Sequence, residues 1–181
     1  MSADGSRTDG HTVLAIPVPA LEPFVRERTA FYDPSFVSAD PTFVHAHLTV
    51  LAPWIAEPTA SDLGVVERIA RETASFSVRL ARIGEFPDGV LHLVPEPDDG
   101  LRALTARLVE AFPAYPPYGG AYDDVVPHVT LDRRGPEVTP ETVHAAIADL
   151  LPVDLAVERI DLQWWANDDC RVLASFPLGA A

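Results

Sequence analysis

The chain is predicted to be an α+β protein of two lobes related by a pseudo-twofold, with two antiparallel sheets flanking a central cleft and helices on the outside. Three observations predict it. Stretches that alternate apolar and polar residues, as half-buried strands do, are interleaved with stretches whose aliphatics recur every three to four residues, as amphipathic helices require. The order helix, motif strand, helix, hairpin runs twice along the chain. Each half also carries one His-x-Thr-aliphatic motif, His47-Leu48-Thr49-Val50 and His128-Val129-Thr130-Leu131, with the histidines 81 positions apart. Similarity between the halves is confined to that motif, so the two-lobed reading rests on element order.

Residues 1–10 are small, polar and charged and are expected to form a disordered tail, leaving residues 11–181 as a single two-lobed domain. Residues 11–19 read as a first strand ended by Pro17 and Pro19. Helical spacing follows over 20–33, where Pro23 is tolerable only in the first turn. A loop over 34–42 leads to the first motif strand. Residues 62–74 form a helix with Ser61 as its N-cap candidate, and 75–86 and 90–96 form a hairpin turning at Pro87-Asp88-Gly89. A helix over 98–112 carries Leu101, Leu104, Leu108 and Val109 on one stripe. Residues 113–126 hold too many prolines and glycines for a regular element, and make a long loop of the kind that is often functional. Thr139 and Pro140 open a helix of about three turns over 139–151. Residues 154–166 and 170–178 close the chain as a hairpin around Asn167-Asp168-Asp169.

Composition removes several classes of function. At 181 residues with 48% hydrophobic content, the chain is long enough to bury a substantial core. No apolar run approaches the ~20 residues of a membrane span, and the N-terminus has neither a basic start nor an apolar stretch, so a cytoplasmic, monomeric protein is expected. Cys170, alone, offers neither an intramolecular disulfide nor a Cys-rich zinc framework and reads as a buried thiol. A formal charge of −14 opposes long duplex nucleic acid and favours a small substrate or a single RNA end. All thirteen basic residues are arginine. The absence of lysine excludes a Schiff base, a Walker-type phosphate-binding lysine and a lysyl-adenylate, and argues against ATP-driven chemistry.

On an extended strand residues i and i+2 share a face, ~6.6 Å apart, so each motif sets an imidazole beside a hydroxyl while Leu48, Val50, Val129 and Leu131 face the core. Two imidazoles suit phosphodiester chemistry near neutral pH, one neutral to accept a proton and one charged to give one. Thr49 and Thr130 could donate to non-bridging phosphate oxygens, and no metal or other cofactor is needed.

The motifs HLTV at 47–50 and HVTL at 128–131, with the aromatic that closes AHLTVLAPW and the arginine pair after HVTL, resemble the 2H phosphoesterase superfamily, in particular its bacterial 2′-5′ RNA ligase-like branch. The resemblance covers nearly all of the chain except the tail. It implies the family's bilobal fold and a metal-independent cyclic phosphodiesterase acting on 2′,3′-cyclic phosphate at RNA ends or in small cyclic nucleotides, with reversible RNA ligation as the same cleft run backwards. It places His47 and His128 as catalytic histidines, His128 as base and His47 as acid, Thr49 and Thr130 as phosphate-binding hydroxyls, and Arg133 as the basic residue. Strand alternation alone instead aims Asp132 and Arg134 into the cleft, unless the strand ends or bulges first. The strong acidity and the 113–126 loop depart from the family pattern.

Trp54, Tyr118 and Tyr122 are the aromatics nearest the motifs and are candidates for stacking on a base. His45-x-His47 is also a metal-ligand spacing, so a metallohydrolase using His45, His47 and His128 is one alternative. A non-catalytic module that binds a nucleotide or RNA end is another. His11, His92 and His144 read as surface or structural residues, and of Trp164 and Trp165 one is expected in the core and the other at the cleft.

Overall fold

The computed structural model describes residues 9–179. The predicted tail therefore lies outside the described residues except at Asp9 and Gly10. Eight strands are observed: β1 (His11–Pro17), β2 (His47–Leu51), β3 (Phe76–Glu85), β4 (Val90–Glu96), β5 (Val129–Arg133), β6 (Val153–Val157), β7 (Arg159–Trp165) and β8 (Arg171–Pro177). They form one curled antiparallel sheet in the order β6-β3-β4-β5-β2-β1-β7-β8. Four α-helices accompany it: α1 (Glu22–Tyr32), α2 (Ala60–Arg71), α3 (Asp99–Ala111) and α4 (Pro140–Ile147).

The predicted pair of sheets is present as two four-stranded halves, β2-β1-β7-β8 and β5-β4-β3-β6. Between motif strands β2 and β5 the register holds a single residue pair, Leu48 opposite Val129. Adjacent strands elsewhere pair over four or more positions. The halves mirror one another further: α1, which precedes β2, packs on β5, and α3, which precedes β5, packs on β2. Each lobe thus lends a helix to the other lobe's motif strand. Leu48, Val50, Val129 and Leu131 are all buried, in a core that runs through Leu14, Ile16, Leu80, Leu93, Leu104 and Leu108. Burial of each such side chain stabilises the fold by about 1.5–3 kcal/mol.

Several sequence expectations are corrected. The N-cap of α2 is Thr59, two residues before Ser61; its hydroxyl accepts the Asp62 amide while the Asp62 carboxylate accepts the Thr59 amide. The capping box places both orphan donors at once, which Ser61 inside the first turn cannot do. Helix α4 spans eight residues and then tightens into a 3₁₀ turn over Ala148–Leu150. The predicted strand 154–166 is two strands: β6 adds to β3 in one lobe, and after Glu158 the chain crosses to pair β7 with β1 in the other. No helix among the described residues is long and apolar enough to cross a membrane.

Candidate active site

A cavity of about 490 Å³ opens where the two motif strands meet. His47, Thr49, His128, Thr130 and Arg133 all line it, so the five residues predicted for catalysis and phosphate binding converge on one space. On β2 the alternation is as expected, with His47 and Thr49 half-buried on one face and Leu48 and Val50 buried on the other. On β5 a bulge intervenes: Thr130 pairs with His92, and the next pair joins Asp132 to Leu91, leaving Leu131 as the extra residue. That bulge resets the strand's faces. Arg133 lines the cavity, whereas the Arg134 guanidinium forks onto the Glu85 carboxylate, with both N–O distances 2.5 Å.

The two histidines are held alike. His47 donates Nδ1–H to the His45 carbonyl at 2.7 Å, and His128 donates Nδ1–H to the Val126 carbonyl at 2.8 Å. In each case the acceptor lies two residues back, and Nε2 is left as the nitrogen able to exchange a proton with a ligand. Burial pushes the His47 pKa down to about 4, with a smaller contribution from the charge of His128. Burial also lowers His128. Arg133 is the more weakly tethered cation, touching the Asp88 carbonyl at 3.1 Å and its carboxylate at 3.8 Å.

His45 is fully enclosed. Its Nδ1 lies 2.6 Å from Glu22 and its Nε2 accepts the Ser38 amide at 3.1 Å. With both ring nitrogens committed it has no lone pair for a metal, and the His45/His47/His128 metal arrangement is corrected to a structural His45 behind His47 and His128. Trp54 is corrected as well: its ring is buried edge-on against Phe112, with centroids 5.1 Å apart, and shows no face to a ligand. Tyr122 is exposed but does not line the catalytic cavity. Tyr118 does not line this cavity but borders a neighbouring one together with His47 and Thr49.

Sequence reasoning missed three residues, Arg28, Tyr32 and His92, and left a fourth undecided between Trp164 and Trp165. Arg28 and Tyr32 on α1 line the cavity and converge on Asp132, a buried carboxylate 2.6 Å from Arg28 Nε and 2.6 Å from the Tyr32 hydroxyl. Their spacing on α1 gave no signal, because their partner lies 100 or more positions away. Trp165 tilts against His47 at 5.5 Å, which makes it the tryptophan at the cleft. His92, read as isolated, is buried beside His128 with ring centroids 5.4 Å apart, and it stacks on Phe86 at 3.9 Å. A side chain at position 84 would strike His92 Nε2, which accounts for Gly84 on the neighbouring strand.

The model of the 2′-5′ RNA ligase superfamily matches residues 17–169. The chain belongs to the 2′-5′ RNA ligase superfamily of 2H phosphoesterases. Solved structures share the fold. Escherichia coli LigT complexed with 3′-AMP is 19% identical, with a TM-score of 0.55 over 95% of this chain and 99% of that one. TT0787 of Thermus thermophilus is 23% identical, with a TM-score of 0.55 over 94% and 98%. E. coli LigT complexed with NADP+ is 20% identical, with a TM-score of 0.53 over 93% and 97%. No curated protein matches the sequence. At these identities the neighbours speak to the superfamily fold alone.

Proposed function

We propose that the protein is a metal-independent cyclic phosphodiesterase that opens the 2′,3′-cyclic phosphate of an RNA end or a small cyclic nucleotide. The observation that carries this reading is the matched anchoring of His47 and His128 in one cavity, each with Nδ1 tied to a carbonyl and Nε2 available. Water attacks phosphorus; one imidazole takes its proton as the new P–O bond forms. The other protonates the ribose oxygen as its P–O bond breaks, leaving a phosphomonoester. Thr49 and Thr130 donate to the non-bridging oxygens and Arg133 supplies positive charge.

Burial keeps both imidazoles predominantly neutral at pH 7 in the empty cleft. A phosphate anion beside them raises their proton affinity, so the acid is charged by its own substrate. The family resemblance assigns His128 as base and His47 as acid. The formal charge of −14 supports a small substrate or a single RNA end over a duplex, and E. coli LigT has been crystallised with 3′-AMP, ATP and NADP+, all nucleotides.

The test is a screen of 2′,3′-cyclic nucleotides, RNA bearing a cyclic phosphate end and ADP-ribose cyclic phosphate. Wild type, His47→Ala, His128→Ala and the double variant are run side by side. Each single variant should lose about 10²–10⁴-fold in rate. Undiminished turnover by the double variant overturns the proposal.

A further inference from the structure

We infer that an apolar chamber beside His47 is a nucleobase subsite, walled by Trp165 and closed by the Tyr118 loop. The inference rests on the reading of the cleft as a nucleotide site and names where the base goes. The chamber has a volume of about 480 Å³ and is separate from the catalytic cavity, yet three residues border both: His47, Thr49 and Trp165. A ligand whose phosphate sits at Thr49 can therefore extend into it without a break.

The remaining lining is His11, Val13, Ala52, Pro53 and Tyr118. No arginine or carboxylate borders the chamber, which makes it a poor place for a second phosphate. Two aromatic side chains and small apolar residues suit a flat heteroaromatic ring, and His11 offers an imidazole besides His47 to meet a polar base edge.

Both aromatics are held in place before any ligand arrives. Trp165 donates its indole N–H to Gln163 at 3.1 Å and packs edge-on against Phe43 at 4.9 Å. Tyr118 has a φ of 51°, a left-handed conformation that is strained for a bulky residue, and Gly119 and Gly120 continue it at 64° and 79°. The strain is retained because the Tyr118 amide donates to the Ala52 carbonyl at 2.7 Å. The proline- and tyrosine-rich loop thus delivers one ring to the rim of the chamber.

The experiment compares 2′,3′-cyclic AMP with base-free ribose 2′,3′-cyclic phosphate, using wild type, Tyr118→Ala, Tyr118→Phe and Trp165→Ala. Loss of one stacking partner should lower kcat/KM for cyclic AMP by roughly 10- to 100-fold, mostly through KM. Trp165→Ala should lower kcat/KM at least about tenfold more for cyclic AMP than for the base-free substrate, and Tyr118→Phe should keep most of the cyclic AMP affinity. A second measurement needs no turnover: titration of adenosine 2′-monophosphate while following tryptophan emission, with quenching expected in wild type and lost in Trp165→Phe. Quenching without hydrolysis of any cyclic phosphate would end the phosphodiesterase reading and leave the subsite standing. Hydrolysis in which both substrates respond equally to the variants, with quenching retained in Trp165→Phe, refutes the subsite and spares the phosphodiesterase.

Discussion

Glu22, in the first turn of α1, holds the ring of His45 at 2.6 Å and accepts the Ala46 amide at 3.0 Å with its other oxygen. Burial alone would raise this carboxyl's pKa, but the bonds from His45 and Ala46 outweigh it and keep the pKa below the usual range. The carbonyl that orients His47 belongs to His45, so the carboxylate fixes the His47 ring at one remove. Glu22→Ala leaves a buried imidazole donor and an amide without partners and should cost about 2 kcal/mol in urea unfolding. The same variant should reduce turnover by about tenfold without changing KM for cyclic nucleotides.

Stability should fall with acid through His47. Its pKa drops from an ordinary 6.5 to about 4 on folding. Between those values the unfolded chain binds more protons than the folded one, so stability is intact above pH 6.5 and is lost as pH falls towards 4. The loss attributable to this group is up to about 3 kcal/mol. Urea midpoints of wild type and His47→Gln, measured from pH 7.5 to 4.5, should converge as pH falls; parallel curves would speak against the burial of the ring.

The Asp132 carboxylate is almost fully enclosed, while the Arg28 side chain retains about a fifth of its exposure. Asp132→Ala strands the guanidinium and should cost about 2–3 kcal/mol, discounted for that exposure. Pairing Arg28→Met with Asp132→Leu should recover most of the loss in chemical denaturation. If the single variant is as stable as wild type, the contact does not clamp α1 to β5.

The neighbouring arginines should separate cleanly. Arg133→Ala removes the weakly tethered cation of the cavity and should raise KM for a cyclic phosphate by about tenfold. Arg134→Ala breaks a fork to Glu85 outside the cavity and should change KM by less than about twofold. Equal effects from both would mean that the bulge at Leu131 does not set the face of the strand.

Capping offers a test in stability alone. Thr59→Ala removes the reciprocal bonds to Asp62 and should lower stability by about 1 kcal/mol, while Ser61→Ala should be close to neutral. Thermal unfolding of the two variants distinguishes them.

Much of the site was legible because its chemistry is written in strand period. His47 with Thr49 and His128 with Thr130 are i, i+2 pairs, so local geometry fixes each pair before tertiary structure is known. What could not be read depends on distant partners. Arg28, Tyr32 and Trp165 look like ordinary helix and strand residues until β5 and β2 are set beside them. The division of 154–166 was hidden because residues on both sides of Glu158 have strand character, and only pairing with β3 or β1 separates them. Trp54 misled by proximity in sequence: it follows the motif strand closely, but the chain turns its ring inward against Phe112. The bulge at Leu131 leaves no compositional mark, and a single inserted residue decided which arginine meets the cavity.

The sheet order also bears on how the nascent chain can fold. The lobe built from β5, β4, β3 and β6 uses residues 76–157, so all its strands exist before β7 is synthesised. The other lobe contains β1 and β2, the first strands to leave the ribosome, yet β1 must wait for β7 to cover its second side. Until Arg159–Trp165 arrives, β1 presents an open edge able to pair with another chain. The lobe begun first is therefore the one completed last.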